Sequence, residues 1–223
     1  VTEGGRRAVR MMIRGLGELC ITAGLVLLLF VTYGLWGTGR YTREQQDRLG
    51  EELEKSWQAP PVTTEKVKLG SGLAMIRIPR LGAEYRYVVV EGVQESDLRK
   101  GPGHYPGTAM PGEVGNFVVS GHRTTYSAPF NRIGELRPSD RILIDTRRRQ
   151  FVYQVTGRQI VEPDDVEVIA PVPNHPRRRP TERLITLTTC HPKYSAAQRL
   201  IVFGRLVETR GRVTAPTNPQ AGG

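Results

Sequence analysis

The 223-residue sequence predicts an all-β domain, a closed or nearly closed β-barrel, behind one N-terminal membrane-spanning helix. Three observations predict it. From Leu73 onward, seven short apolar runs rich in Val, Ile, Thr and aromatics alternate with turns of Gly, Pro and charged residues. Between those runs only two stretches, VQESDLRK and PFNRIGEL, suit a short helical turn, which leaves no crossover helices for a parallel sheet. Finally, no charged residue occurs from Leu19 to Gly39.

The elements follow in order. Residues 1–18 are a basic tail containing Arg6, Arg7, Arg10 and Arg14. Residues 19–39 are a transmembrane anchor whose centre reads ITAGLVLLLFV. At about 1.5 Å per residue this span makes a helix of roughly 30 Å, the thickness of a bilayer's hydrocarbon core. Tyr33 and Trp36 fall near its end, where amphipathic rings favour the interface. The sequence GTGRYTREQQ then offers no small-x-small cleavage site, so the segment reads as an anchor and not a removed signal. Arg40, Arg43 and Arg48 follow the span, yet the short basic tail favours a cytoplasmic N-terminus and an extracytoplasmic C-terminal domain.

Residues 40–72 read as a juxtamembrane helix and linker, the helix ended by Pro60-Pro61. The β-domain occupies residues 73–209, with strands expected at 73–78, 85–91, 116–121, 141–146, 151–161, 184–190 and 199–207. Residues 210–223, RGRVTAPTNPQAGG, have the composition of a disordered tail.

The net charge of +10 raises the question of nucleic acid. Its distribution answers it. Residues 1–40 carry +3, 41–72 carry −1, 73–209 carry +6 and the tail +2. Two runs, Arg147–Arg149 and Arg177–Arg179, lie in turn-like surroundings without the spacing of a zinc finger or an RNA-binding aromatic motif. They read as solvated surface. The two cysteines, Cys20 in the anchor and Cys190 in the β-domain, exclude a disulfide scaffold and a thiolate metal site. An exported domain with an unpaired thiol suggests a reactive one.

Cys190 ends the run LITLTTC, where a loop begins and solvent can reach the thiol. Acyl transfer by a thiol needs a proton partner. His122 also stands at the end of an apparent strand, whereas His104 and His175 lie among Gly and Pro. His191 adjoins the cysteine, but neighbouring residues of an extended chain face opposite sides. His122 is therefore the better acid/base candidate. The developing oxyanion needs a donor. Arg199 opens the next strand, and in an antiparallel pair it can face Cys190.

These residues resemble the sortase family of cysteine transpeptidases. TLTTC followed by x-Pro, a strand ending in Gly-His-Arg, and an arginine opening the following strand carry the resemblance. The stretches GPGHYPGTAMPGEVGNFVVSGHRTTYSAPFNRI and TLTTCHPKYSAAQRLIVFGRL are similar to class E sortases of actinobacteria, over roughly residues 73–208. The resemblance implies an eight-stranded barrel with Cys190 as nucleophile, His122 as general acid/base, and Arg199 as substrate clamp and oxyanion donor.

It further implies cleavage of a C-terminal sorting signal between Thr and Gly, with LAXTG expected over LPXTG. A Cys190 thioester would then pass the surface protein to an amine of a peptidoglycan precursor or a pilin. No cofactor or metal is implied, and Asp164-Asp165 reads as a turn. Thr189, Thr124, Thr125, Tyr126 and Tyr105 are expected to line the substrate site. The alternative is a non-catalytic anchored β-domain that binds wall polymers or partner proteins. Such a module has no use for an exported thiol beside a histidine and an arginine. A papain-like protease is disfavoured because the histidine precedes the cysteine.

Overall fold

The computed structural model describes residues 3–59 and 67–212. Helix α1 (Glu3–Thr32) passes through a π-helical turn, Tyr33–Gly37, into α2 (Thr38–Gln58). The segment Val9–Thr32 is long and apolar enough to cross a membrane, with a mean hydropathy of 2.0 and none of it buried against the rest of the chain. It starts before the expected residues 19–39. Within it Arg14 Nε pairs with Glu18 Oε1 at 3.0 Å, one helical turn apart, so the two charges partly cancel.

The remainder is a barrel of eight strands. They are β1 (Gly72–Arg77), β2 (Arg86–Glu91), β3 (Gly103–His104), β4 (Gly115–Ser120), β5 (Arg141–Asp145), β6 (Arg149–Val161), β7 (Arg183–His191) and β8 (Gln198–Gly211). They close in the order β1-β2-β3-β4-β7-β8-β6-β5. Seven were expected from the apolar runs; the eighth, β3, has only two residues and no periodicity to betray it. β8 runs on to Gly211, paired with Arg149, so Arg210 and Gly211 are strand and not tail. The disorder expected for the tail concerns residues 213–223, which lie outside the described residues.

Strand alternation builds the core. Ile76, Phe117, Val119, Ile144, Tyr153, Ile185, Leu187 and Val202 point inward and are buried together. The outward Val88, Val90 and Met75 are covered by Leu49, Leu53 and Trp57 of α2. Those three recur at helical spacing, and the juxtamembrane helix is thereby docked on the barrel. The two expected helical turns are present as α3 (Glu95–Leu98) and a 3₁₀ turn at Ile133–Glu135. Gln94 and Asp97 close a capping box on α3.

Candidate active site

β7 and β8 place two of the three predicted groups opposite each other, and the end of β4 leads to the third. β7 and β8 are antiparallel, and Cys190 is directly opposite Arg199. β4 runs parallel to β7 with Ser120 beside Thr188, and the Gly121 N–H continues the ladder to Thr188 O at 3.1 Å. β4 ends at Ser120, and His122 stands two residues beyond it at the start of the following loop. Residues in one row of a sheet share a face and lie about 5 Å from their neighbours. That face is the outer one, because Leu187 and Leu200, which are out of phase with Cys190 and Arg199, belong to the core.

Gly121 makes the approach of β4 to the site practicable. A Cβ there would sit 2.7 Å from the Phe130 ring, so any other residue would push the strand end away. Phe130 in turn donates its N–H to His122 O at 3.0 Å, fixing the histidine backbone.

His122 is half-buried. Its Nε2 is shielded and has no hydrogen-bond partner among the described residues. The Tyr126 ring lies against it, centroids 4.9 Å apart. Burial holds the imidazole below its ordinary pKa; Glu95 opposes that shift and Arg99 adds to it. The neutral ring, the form that can accept a proton, is therefore favoured. The Arg199 guanidinium folds over the β7–β8 turn, where Nη1 donates to Ala196 O at 2.9 Å and to Gln198 O at 3.0 Å.

Arg123 grips the row from behind. Its Nη1 donates to Cys190 O at 2.9 Å and to His191 Nδ1 at 2.9 Å. Arginine has no lone pair to offer, so His191 Nδ1 is the acceptor and a neutral ring carries its proton on Nε2. Asn131 holds Arg123 by donating Nδ2 to its carbonyl at 2.8 Å. A cavity of about 420 Å³ opens on this side, lined by Arg123, His191, Leu200, Ile160 and Arg158. Sequence reasoning passed over Arg123. The signal was available, since a residue following His122 in an extended chain must face the same side as the one following Cys190.

The expected substrate-lining residues divide. Tyr126 joins the site through His122, with Thr124 and Thr125 partly exposed in the same loop. Thr189 is a correction: it is 2% exposed and its hydroxyl donates to Gly121 O at 2.7 Å. It ties β7 to β4 from the inner face. Tyr105 stands beside Val118, to whose carbonyl its N–H donates, four residues down β4 from His122. That is on the order of 13 Å along the strand.

His104, just before Tyr105, is 1% exposed, with Glu91 Oε2 2.6 Å from Nδ1 and Thr108 Oγ1 2.9 Å from Nε2. It braces β3 and takes no part in the row. Asp165 accepts from Glu167 N at 3.2 Å, capping the short helical turn Val166–Ile169, as a turn residue should.

A thiol paired across the ladder with an arginine, and a half-buried histidine on the loop after the neighbouring strand, are groups suited to acyl transfer by a cysteine. The chain belongs to the sortase family of cysteine transpeptidases, and the sortase domain model matches residues 76–207. Sortase SrtE1 of Streptomyces coelicolor is 36% identical over 207 residues, covering 89% of this chain and 58% of that protein. The chain thus spans little more than half of that relative's length. The solved sortase E of Streptomyces avermitilis is 40% identical with a TM-score of 0.60, covering 68% of this chain and 97% of that one. The Streptomyces coelicolor sortase E1, solved with a tripeptide in the active site, is 35% identical with a TM-score of 0.60 over 69% of this chain and 98% of that one.

Proposed function

We propose that this chain is a membrane-anchored transpeptidase that cleaves a C-terminal LAXTG or LPXTG-like sorting signal between Thr and Gly. The observation carrying this reading is the pairing of Cys190 with Arg199 across β7 and β8, with His122 just beyond the end of the adjoining β4. The Cys190 sulfur attacks the threonine carbonyl carbon as its thiol proton passes to His122, while Arg199 donates to the carbonyl oxygen as it gains charge. The C–N bond to glycine breaks, and His122 gives the departing amine its proton. A thioester remains, which keeps the acyl group reactive. An incoming amine attacks the same carbon, loses a proton to His122 and expels the Cys190 sulfur, which takes that proton back from His122 as a thiol. Each step balances without an external energy source.

The donor is a surface protein bearing the signal, and the acceptor an amine of a peptidoglycan precursor or a pilin. A solved relative that holds a tripeptide in its active site supports a peptide substrate. The anchor supports a membrane-borne acceptor, because α2 continues from the apolar span Val9–Thr32 and Gly39 already touches the loop after His122. With the N-terminus cytoplasmic, this loop stands just outside the membrane. Incubation of the full chain in lipid nanodiscs with LAXTG and LPXTG peptides and a glycine-based amine tests the reading. Ligated product is expected, with LAXTG turned over faster; absence of both ligation and hydrolysis for either peptide contradicts it.

A further inference from the structure

We infer that the first turns of α2 hold the loop after His122 in its working shape, making the juxtamembrane helix a positioning element for the acid/base histidine. The inference rests on the catalytic reading of His122 given above. Three consecutive residues of that loop, Tyr126, Ser127 and Ala128, have φ values of 52°, 60° and 45°. None is glycine. A left-handed run of residues carrying Cβ atoms persists only where its surroundings hold it.

Two of the ties to Tyr126 and Ser127 come from α2. Ser127 Oγ donates to Gly39 O at 2.9 Å, and the Tyr126 N–H donates to Thr38 Oγ1 at 3.4 Å. The barrel adds Tyr87 OH to Ser127 O at 3.3 Å and Tyr85 OH to Pro129 O at 2.8 Å, and the loop closes on itself through Ala128 N–H to Thr125 O at 2.8 Å and Asn131 N–H to Ala128 O at 3.0 Å. Tyr126 then stands between two groups, its ring against His122 on one side and the Arg99 guanidinium 5.7 Å from its centroid on the other. α2 fixes Arg99 as well, since Thr42 Oγ1 donates to Arg99 O at 2.8 Å.

One turn further along the same stripe, Gln46 Nε2 donates to Val88 O at 3.0 Å and to Lys100 O at 2.8 Å, while its Oε1 accepts from the Val88 N–H at 2.6 Å. Gly101 leaves room for that amide, because a Cβ there would lie 2.1 Å from Gln46 Nε2. The end of α2 nearest the site is thus docked by directional hydrogen bonds and the far end by Leu49, Leu53 and Trp57. Directional bonds specify a position where apolar contact would tolerate sliding.

The groups facing His122 are Tyr126 in the loop, and Glu95 and Arg99 from α3 and its end; beyond them stand Tyr41 and Arg43 of α2. Releasing the loop withdraws Tyr126 and lets water reach the ring.

The test uses the full chain in lipid nanodiscs and the double variant Thr38→Val with Ser127→Ala. Hydrolysis of an LAXTG peptide and the NMR titration of the His122 ring are followed on the same samples. The expected result is a kcat about tenfold lower, a KM within twofold of wild type, and a His122 titration moved to higher pH. Unchanged kcat together with an unchanged titration overturns the inference. So does a faster variant, which would make the contact inhibitory, and so does a lower kcat with the titration unmoved, which would report only lost folded protein. Failure of the wild type to form a thioester on Cys190 is seen before any variant is compared and would sink the transpeptidase reading itself.

Discussion

At the residue scale, the site divides labour between two faces of the sheet. Cys190 and Arg199 share the outer face, and Arg123 and His191 brace the strand ends from the other. Substituting Cys190, His122 or Arg199 with Ala is expected to cut peptide turnover at least about a hundredfold, the range for loss of a nucleophile, proton carrier or oxyanion donor. Single-turnover acylation rates check this. The pH behaviour has a definite sign. The His122 pKa is lowered from the ordinary 6.5, so the folded protein resists its protonation more than the unfolded chain does. Its contribution to stability is therefore full above 6.5 and is lost as pH falls through the lowered value. Denaturant midpoints measured downward from pH 7 should drop less steeply in His122→Ala than in wild type. The pairing of Cys190 with Arg199 was legible in the sequence because each stands at the end of an apolar run. Thr189 was misplaced for a reason the sequence also contained: in an extended strand it must face away from Cys190.

Elements tell a less legible story. The long apolar runs of β4, β7 and β8 announce themselves through Val, Ile and Leu, whereas β3 exists only because Gly103 and His104 bridge β2 and β4. Its existence is a property of the closed barrel. The docking of α2 was equally hidden, since Leu49, Leu53 and Trp57 form a narrow stripe in an otherwise charged helix. What they cover, Val88 and Val90, alternates with core positions of β2 in a way that only the fold defines. Leu53 is 5% exposed at this seam. Leu53→Ala should cost about 2–3 kcal/mol of stability, at the lower end for a buried leucine because the cavity lies near the surface. Chemical denaturation of the full chain in nanodiscs measures it, and a change under about 0.5 kcal/mol would mean that the helix is not docked there.

On the scale of the whole molecule, the excess positive charge is a property of surface and tail. Arg177–Arg179 all lie exposed on the connection between β6 and β7, away from the row. The two free thiols are separated by the architecture: Cys20 is exposed on α1 within the apolar span, and Cys190 stands at the barrel's end. With the proposed orientation, a membrane-impermeant maleimide added to intact cells should label Cys190 and leave Cys20 untouched. Cys20→Ala should retain full transpeptidation. Labelling of Cys190 only after lysis would reverse the orientation. The apolar span, the barrel and the Cys190–Arg199 pairing were readable from residue type and spacing, whereas the contact of α2 with the loop after His122 was not. It depends on a helix that continues without a break from Thr38 and on a left-handed turn at Tyr126–Ala128, and neither leaves a mark in composition.

The central claim is that Cys190 becomes acylated by the threonine of a sorting signal. Intact-protein mass spectrometry of the full chain, quenched in acid after mixing with an LAXTG peptide and no amine, tests it most directly. The account predicts a hydroxylamine-labile adduct with the mass of the peptide up to its threonine, located on Cys190, absent from Cys190→Ala and discharged by a glycine-based amine. A chain that consumes the peptide without ever carrying that adduct, or carries it equally in Cys190→Ala, contradicts it.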